Sequence, residues 1–148
     1  MAHQDPAEET SETAESYRLA DQIGFKLRLA YQRHLEVFNQ LMPEVTPTQF
    51  AILATLLEGG PVSQNQLGRQ VGLDAATTKG VIDRLHRKGL VDRTPSVTDL
   101  RRILISLTEK GQAFAQDAIP IASEVSRKTL ATLSKREAER LLQLLDQL

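Results

Sequence analysis

The sequence contains no cysteine, which excludes disulfides, thiolate metal sites, a cysteine nucleophile and thiol-based redox sensing. It has no apolar run near the roughly 20 residues needed to cross a bilayer. Its first stretch, MAHQDPAEETSETAES, lacks the basic and apolar regions of a signal peptide. A cytoplasmic protein with no membrane partner is therefore expected. His3, His34 and His86 are scattered without partners at ligand spacing, so no metal site is expected. There is no paired-carboxylate motif, glycine-rich phosphate loop or serine nucleophile elbow, so neither an enzyme nor a cofactor is expected.

Positive charge is missing from residues 1–15, which hold five acids (Asp5, Glu8, Glu9, Glu12, Glu15) and no Lys or Arg. An acidic stretch with almost no large apolar residue reads as a disordered arm. The net charge of −1 conceals a second asymmetry, because residues 62–111 carry nine Lys/Arg against five Asp/Glu. That middle segment is where an anionic partner is expected. At 148 residues the chain is long enough for one domain with a real core.

Helix punctuation, in contrast, is abundant. From about Tyr17 to Leu41 the three- and four-residue spacing of Leu19, Ile23, Leu27, Ala30, Leu35 and Phe38 predicts a long amphipathic helix. In VTPTQFAILATLLEGG, Thr46 is placed to cap, Pro47 suits the first helical position, Gln49 closes a capping box and Gly59-Gly60-Pro61 stops the helix. The pattern repeats in PVSQNQLGRQVG, with Ser63 as cap, Gln66 as box partner and Gly72 as stop. Asp74 then caps AATTKGVIDRLHRK, and Gly89 is the left-handed residue beyond it, with Leu90 folding back on Leu85. Two short helices joined by a short glycine-containing turn are the signature of a helix-turn-helix.

LVDRT and RILISL have strand character and flank the tip TPSVTDLRR, which predicts a β-hairpin. From Thr108 the chain is expected to be helical to about Leu133, kinked at Pro120. Ser134 with Glu137 starts a last helix carrying Leu141, Leu142, Leu145 and Leu148 on one stripe. The order predicts a mainly α fold with a small β-hairpin, namely a winged helix-turn-helix lobe over 46–107 flanked by long helices, 16–45 and 108–148, in a single domain 16–148. Those flanking helices carry more apolar stripe than so small a lobe can cover. A twofold homodimer that buries them is the economical solution.

With TPTQFAILATL, SQNQLGRQVGLDAATTKGVIDRLHRKGLVDR and DLRRILISLTEKG in this order and spacing, the chain resembles the multiple-antibiotic-resistance regulator (MarR) family over roughly residues 17–148. The most specific pieces are the helix-turn-helix running into DRLHRKGLVDR, and the wing motif formed by Asp99, Arg101, Leu107, Thr108 and Gly111. The resemblance implies a homodimeric bacterial transcription factor, usually a repressor, that reads a palindromic operator in double-stranded DNA and is often released by a small aromatic, anionic effector. It departs from the pattern at Leu100, where members often have a basic residue, and at Arg102, where they often have a small one.

In a helix-turn-helix the second helix enters the major groove by its N-terminal turns. Here these hold Ala75, Ala76, Thr77, Thr78 and Lys79. The small residues allow close approach, Thr77 and Thr78 can donate to phosphates or base edges and offer methyls to thymine, and Lys79 adds charge. Exposure to solvent without DNA contact is the alternative for both threonines. Arg84, deeper in the helix, is the candidate for bidentate base readout. Ser63 and Gln64 open the preceding helix, whose amides either hold a phosphate or are simply capped. Arg87, Lys88 and Arg93 form a basic face that meets phosphate or is merely solvated.

At the tip, Arg101 is the candidate for insertion into a narrow minor groove and Arg102 for an extra phosphate contact. Asp99 is expected to pair with the Arg101 side chain and orient it, with an unremarkable surface ion pair as the alternative. The resemblance further implies an effector between the first helix and the winged lobe, near the dimer interface. On that helix Tyr17, Arg18, Tyr31 and His34 offer ring surface, cationic partners and hydrogen bonds suited to a phenolic acid, with plain packing as the alternative. The function expected is ligand-responsive repression of an adjacent catabolic, efflux or stress operon. A winged-helix protein-interaction module and a ligand-independent DNA-binding protein stay open as alternatives, and the basic excess in 62–111 argues against the first.

Overall fold

The helices begin where the sequence supplies caps. In the computed structural model, which describes residues 16–148, α1 spans Ile23–Leu41 and α2 spans Pro47–Gly59. At the head of α2, Thr46 Oγ1 accepts from the Gln49 N–H at 3.1 Å, and Gln49 Oε1 accepts from the Thr46 N–H at 3.2 Å. The Asp74 carboxylate accepts from the Thr77 N–H at 2.7 Å to open α4 (Ala75–Arg87), which follows α3 (Gln64–Val71). Thr108 Oγ1 accepts from the Gly111 N–H at 2.9 Å at the start of α5 (Glu109–Thr129), and Ser134 and Glu137 make a reciprocal box for α6 (Lys135–Leu145). The predicted acidic arm, residues 1–15, lies outside the described residues.

Both helices of the helix-turn-helix end on glycine in the left-handed region, Gly72 at φ 72° and Gly89 at φ 74°. Each closes with the same pair of turn bonds. Leu73 N–H reaches Gly68 O at 2.9 Å and Leu90 N–H reaches Leu85 O at 3.0 Å, which satisfies carbonyls the helix leaves open. Leu85 and Leu90 are both buried, as the fold-back expectation required.

Three expectations need correction. The first helix does not begin at Tyr17: a 3-10 turn over Leu19–Asp21 precedes an extended Gln22, and α1 starts only at Ile23. Arg18 O is the reason, since it accepts from both the Asp21 N–H at 3.0 Å and Gln22 Nε2 at 3.2 Å, which turns the chain tightly before the helix can propagate. The box at Ser63 is half made: its Oγ accepts from the Gln66 N–H at 3.3 Å with no reciprocal side-chain bond. And α5, which includes Pro120, ends at Thr129 rather than near Leu133.

The predicted hairpin is a three-stranded antiparallel sheet. Strand β1 (Val62–Ser63) pairs with β3 (Ile103–Leu107), which also pairs with β2 (Val91–Pro95), in the order β1-β3-β2. Ile105 sits opposite Val62 on one side and Arg93 on the other. A two-residue strand has no alternation to read, so only the fold reveals it.

The chain divides into two compact units, one ending at His34 and one running Leu35–Leu148. The second contains the core: Phe38, Ile52, Leu53, Leu56, Leu67, Ile82, Leu85, Val91, Ile105, Ala115 and Val125 are all buried. Helix α2 is its centre and packs on α3, α4, α5 and β3. Burying one such large aliphatic side chain stabilises by about 1.5–3 kcal/mol. Gly111 lets α5 lie on the root of the wing, because a Cβ there would sit 1.9 Å from Leu90 O. Helix α6 buries no residue, and its leucines Leu141, Leu142, Leu144 and Leu145 are exposed.

Candidate nucleic-acid interface

The candidate reading head is built at the contact between α3 and α4. Gly68 makes it possible, since a Cβ there would lie 2.6 Å from Thr78 Oγ1 and 3.3 Å from Leu73 O. Thr78 is 1% exposed, and its hydroxyl donates to Asp74 O at 2.7 Å. This corrects the expectation that Thr78 faces DNA. It belongs to the inward stripe Thr78, Val81, Ile82, Leu85, all buried, whose three- and four-residue spacing was readable from the sequence. Ala75, Ala76, Thr77 and Lys79 remain exposed.

Bonds from Thr77, first through its N–H and then its side chain, with a further one from the Ala76 N–H, hold the Asp74 carboxyl below the usual carboxylate range. The ionised cap complements the positive end of α4. It also occupies the amides that would otherwise take a phosphate, so the exposed start of α4 suits base edges better than anions. At α3 the cap is the neutral Ser63, and no carboxylate competes there.

Several of the expected cations are engaged within the protein. Lys79 Nζ reaches Asp83 Oδ2 at 2.9 Å, and Arg93 on β2 forms an ion pair with the other oxygen of Asp83. Hydrogen bonds from Lys79 and then Arg93 hold the Asp83 carboxyl below its usual range. Arg93 is therefore a tie between the wing strand and α4 rather than a free cation. Lys88 is likewise turned onto the protein: Nζ donates to Glu44 O at 2.7 Å and to Gln49 Oε1 at 3.1 Å. Lys110 Nζ donates to Lys88 O at 2.9 Å, so the end of α4 is fastened to α5 as well. Arg84 and Arg87 are exposed.

The wing tip is ordered by side-chain bonds to its own backbone. Ser96 Oγ accepts from the N–H groups of Thr98 and Asp99 at 3.3 and 3.4 Å, and Ser96 N–H donates to Arg102 O at 2.8 Å. Asp99 Oδ1 accepts from the Arg101 backbone N–H at 3.1 Å. The expected carboxylate–guanidinium pair is absent from the ion pairs of the described residues. The short aspartate side chain bonds the N–H two residues on, as in an Asx-turn, so Asp99 shapes the loop and leaves the Arg101 guanidinium to solvent.

Arg101 and Arg102 are exposed and, with Arg69, line a cleft of about 370 Å³. Its other walls are Ser63, Gln64, Asn65 and Ile103. The cleft exists because β1 pairs with β3 and so brings the start of α3 against the wing. Arg69 and Asn65 escaped sequence reasoning, although their four-residue spacing places them on one face of α3. Three guanidinium-bearing side chains beside a helix N-terminus have the chemistry to bind phosphate oxygens.

The residues expected at an effector site, Tyr17, Arg18, Tyr31 and His34, all lie in the unit that ends at His34. The Tyr31 and His34 ring centroids are 6.1 Å apart, and both tyrosines are exposed. Among the described residues no three His, Cys, Asp or Glu are grouped to hold a metal, and no helix is long and apolar enough to cross a membrane.

Residues 45–103 match the model of the MarR family. The repressor NicR of Pseudomonas putida, an HTH-type transcriptional repressor, is 37% identical over 131 residues, covering 87% of this chain and 83% of that protein. A probable transcriptional regulator from Pseudomonas aeruginosa superposes with a TM-score of 0.84 at 46% identity, covering 88% of this chain and 98% of that one. Bordetella bronchiseptica BpsR, whose DNA binding is regulated by 6-hydroxynicotinic acid, superposes with the same TM-score of 0.84 at 32% identity, covering 88% and 95%. The likeness extends well past the matched lobe into the flanking helices, and this chain belongs to the MarR family of transcriptional regulators.

Proposed function

We propose that the chain is a homodimeric repressor, not an enzyme, that holds a palindromic operator in the bacterial cytoplasm and releases it when a small aromatic acid binds. The observation that carries this reading is the cleft where Arg69, Arg101 and Arg102 meet the start of α3, beside the exposed, uncharged first turn of α4. In it Ser63, Gln64 and the three arginines grip the backbone, Ala75, Thr77 and Lys79 enter the major groove with Arg84 behind them, and Arg101 reaches the minor groove. Two copies present these surfaces to major grooves about 34–36 Å apart. The exposed leucines of α6, with Ile23, Leu27 and Tyr31 on α1, supply the apolar area for pairing.

The effector reading rests on Tyr17, Arg18, Tyr31 and His34, and draws support from the hydroxylated pyridine acid that regulates the Bordetella relative. An acid of this kind derepresses only if it binds the DNA-free arrangement of the dimer more tightly than the DNA-bound one. Fluorescence anisotropy on the DNA immediately upstream of the gene tests both parts. Three arginines from each of two copies give a log K against log salt slope of about −5, and salt-independent or undetectable binding refutes the DNA reading. A panel of hydroxylated aromatic acids, 6-hydroxynicotinic acid among them, is expected to weaken that binding at least tenfold and to raise Tm. If no acid moves either quantity, the protein is a ligand-independent DNA-binding protein.

A further inference from the structure

The wing ends in two bare apolar side chains. Val97 is 97% exposed and Leu100 is 81% exposed, both within the turn that carries Arg101 and Arg102. The turn is not loose: Ser96 gathers the Thr98 and Asp99 amides, Asp99 holds the Arg101 amide, and Arg102 N–H closes on Asp99 O at 3.0 Å. Those bonds fix the backbone beneath Leu100 while covering none of its side chain. An ordered turn that leaves apolar groups at its apex has the form of a probe.

Its neighbours select the partner. Arg101 and Arg102 stand beside the apolar pair, and no carboxylate other than Asp99, already bonded to the Arg101 amide, lies in the segment 93–108. A surface that is cationic around an apolar centre fits a narrow groove whose rims are phosphate and whose walls are deoxyribose carbon, which is the minor groove of DNA. We infer that Leu100, supported by Val97, packs against the sugar walls of the minor groove, so that the wing binds by apolar contact as well as by charge. This rests on the DNA-binding reading above and adds to it a term that salt does not screen.

The two terms separate by salt titration, because counterion release counts neutralised phosphates and not buried carbon. Leu100→Ala should weaken operator binding about tenfold from lost apolar burial at the two wings, with the salt slope unchanged. Arg101→Ala, the companion variant, should weaken binding and flatten the slope by about one unit per lost phosphate contact. Leu100→Lys should restore affinity at low salt and steepen the slope. If Leu100→Ala binds like the parent while Arg101→Ala is weakened, the apolar contact is refuted and the wing reading survives. If neither variant is weakened, the wing does not touch DNA and both fail. If Leu100→Ala instead changes the sedimentation of the DNA-free protein, the tip is a contact between copies and the inference is overturned. Position 100 is exposed and its backbone bonds use no Leu100 side-chain atom, so superimposable circular dichroism melts of parent and variants confirm folding.

Discussion

The two ends of the interface are built by opposite means. The start of α4 offers Ala75, Ala76 and Thr77, all small and uncharged, on a helix locked from behind where Thr78 meets Gly68. The wing tip offers two arginines and two bare apolar side chains on a turn that owes its shape to bonds from Ser96 and Asp99. One end presents shape with its charge cancelled by Asp83; the other presents charge with little packing beneath it. On the proposed DNA-binding reading, base readout and affinity fall to different elements, joined through the Asp83–Arg93 pair and the β1–β3 ladder.

The joints between these elements are where the contrast breaks most severely. Gly111→Ala places a Cβ 1.9 Å from the Leu90 carbonyl, where neither backbone can yield, and should cost at least about 3 kcal/mol in urea denaturation. Gly68→Ala meets the movable Thr78 hydroxyl at 2.6 Å. Its clash is partly offset by roughly 1 kcal/mol of better helix propensity, leaving a loss of about 1–2 kcal/mol. Adding Thr78→Ala to Gly68→Ala should recover part of that loss, and a double-mutant cycle without coupling shows the elbow is not the contact described. Lys88→Met removes the bonds to Glu44 O and Gln49 Oε1 and should cost about 1 kcal/mol.

Asp83→Asn sharpens the comparison in the other direction. Freeing Lys79 and Arg93 should strengthen non-specific DNA binding and steepen the salt slope by about one unit, read by anisotropy on unrelated DNA. An unchanged slope means those cations stay away from phosphate. The smallest effect concerns acid. Because Asp83 and Asp74 have folded values below their unfolded ones, their stabilisation is present above the unfolded aspartate value and fades as pH falls through the folded one. Stability of the parent should drop in that acidic window, and Asp83→Asn should show a shallower fall there.

Local rules carried far into this fold. The caps at Thr46, Asp74 and Ser134 and the helix-ending Gly72 and Gly89 were legible because each is decided within a few residues. Thr78 was misplaced although its stripe was readable, since a polar side chain in a recognition helix invites a polar role. Strand β1, the Arg93 tie and the inward turn of Lys88 depend on partners far along the chain, and no periodicity announces them. The Asp99 brace was half legible: the residue was identified, while its acceptor role went to the amide two positions on.

Ser63 holds two posts at once, ladder partner of Leu104 and cap of α3. In mechanical terms the wing and the first reading helix share a rivet. Sliding β3 by a single residue would turn Ile105 out of the core and set a different residue opposite the cap of the helix in the same motion. The register of a two-residue strand therefore sets how the start of α3 stands against the wing. On the proposed dimeric reading, a change of operator spacing is then met elsewhere, by moving the lobe of one copy relative to that of the other.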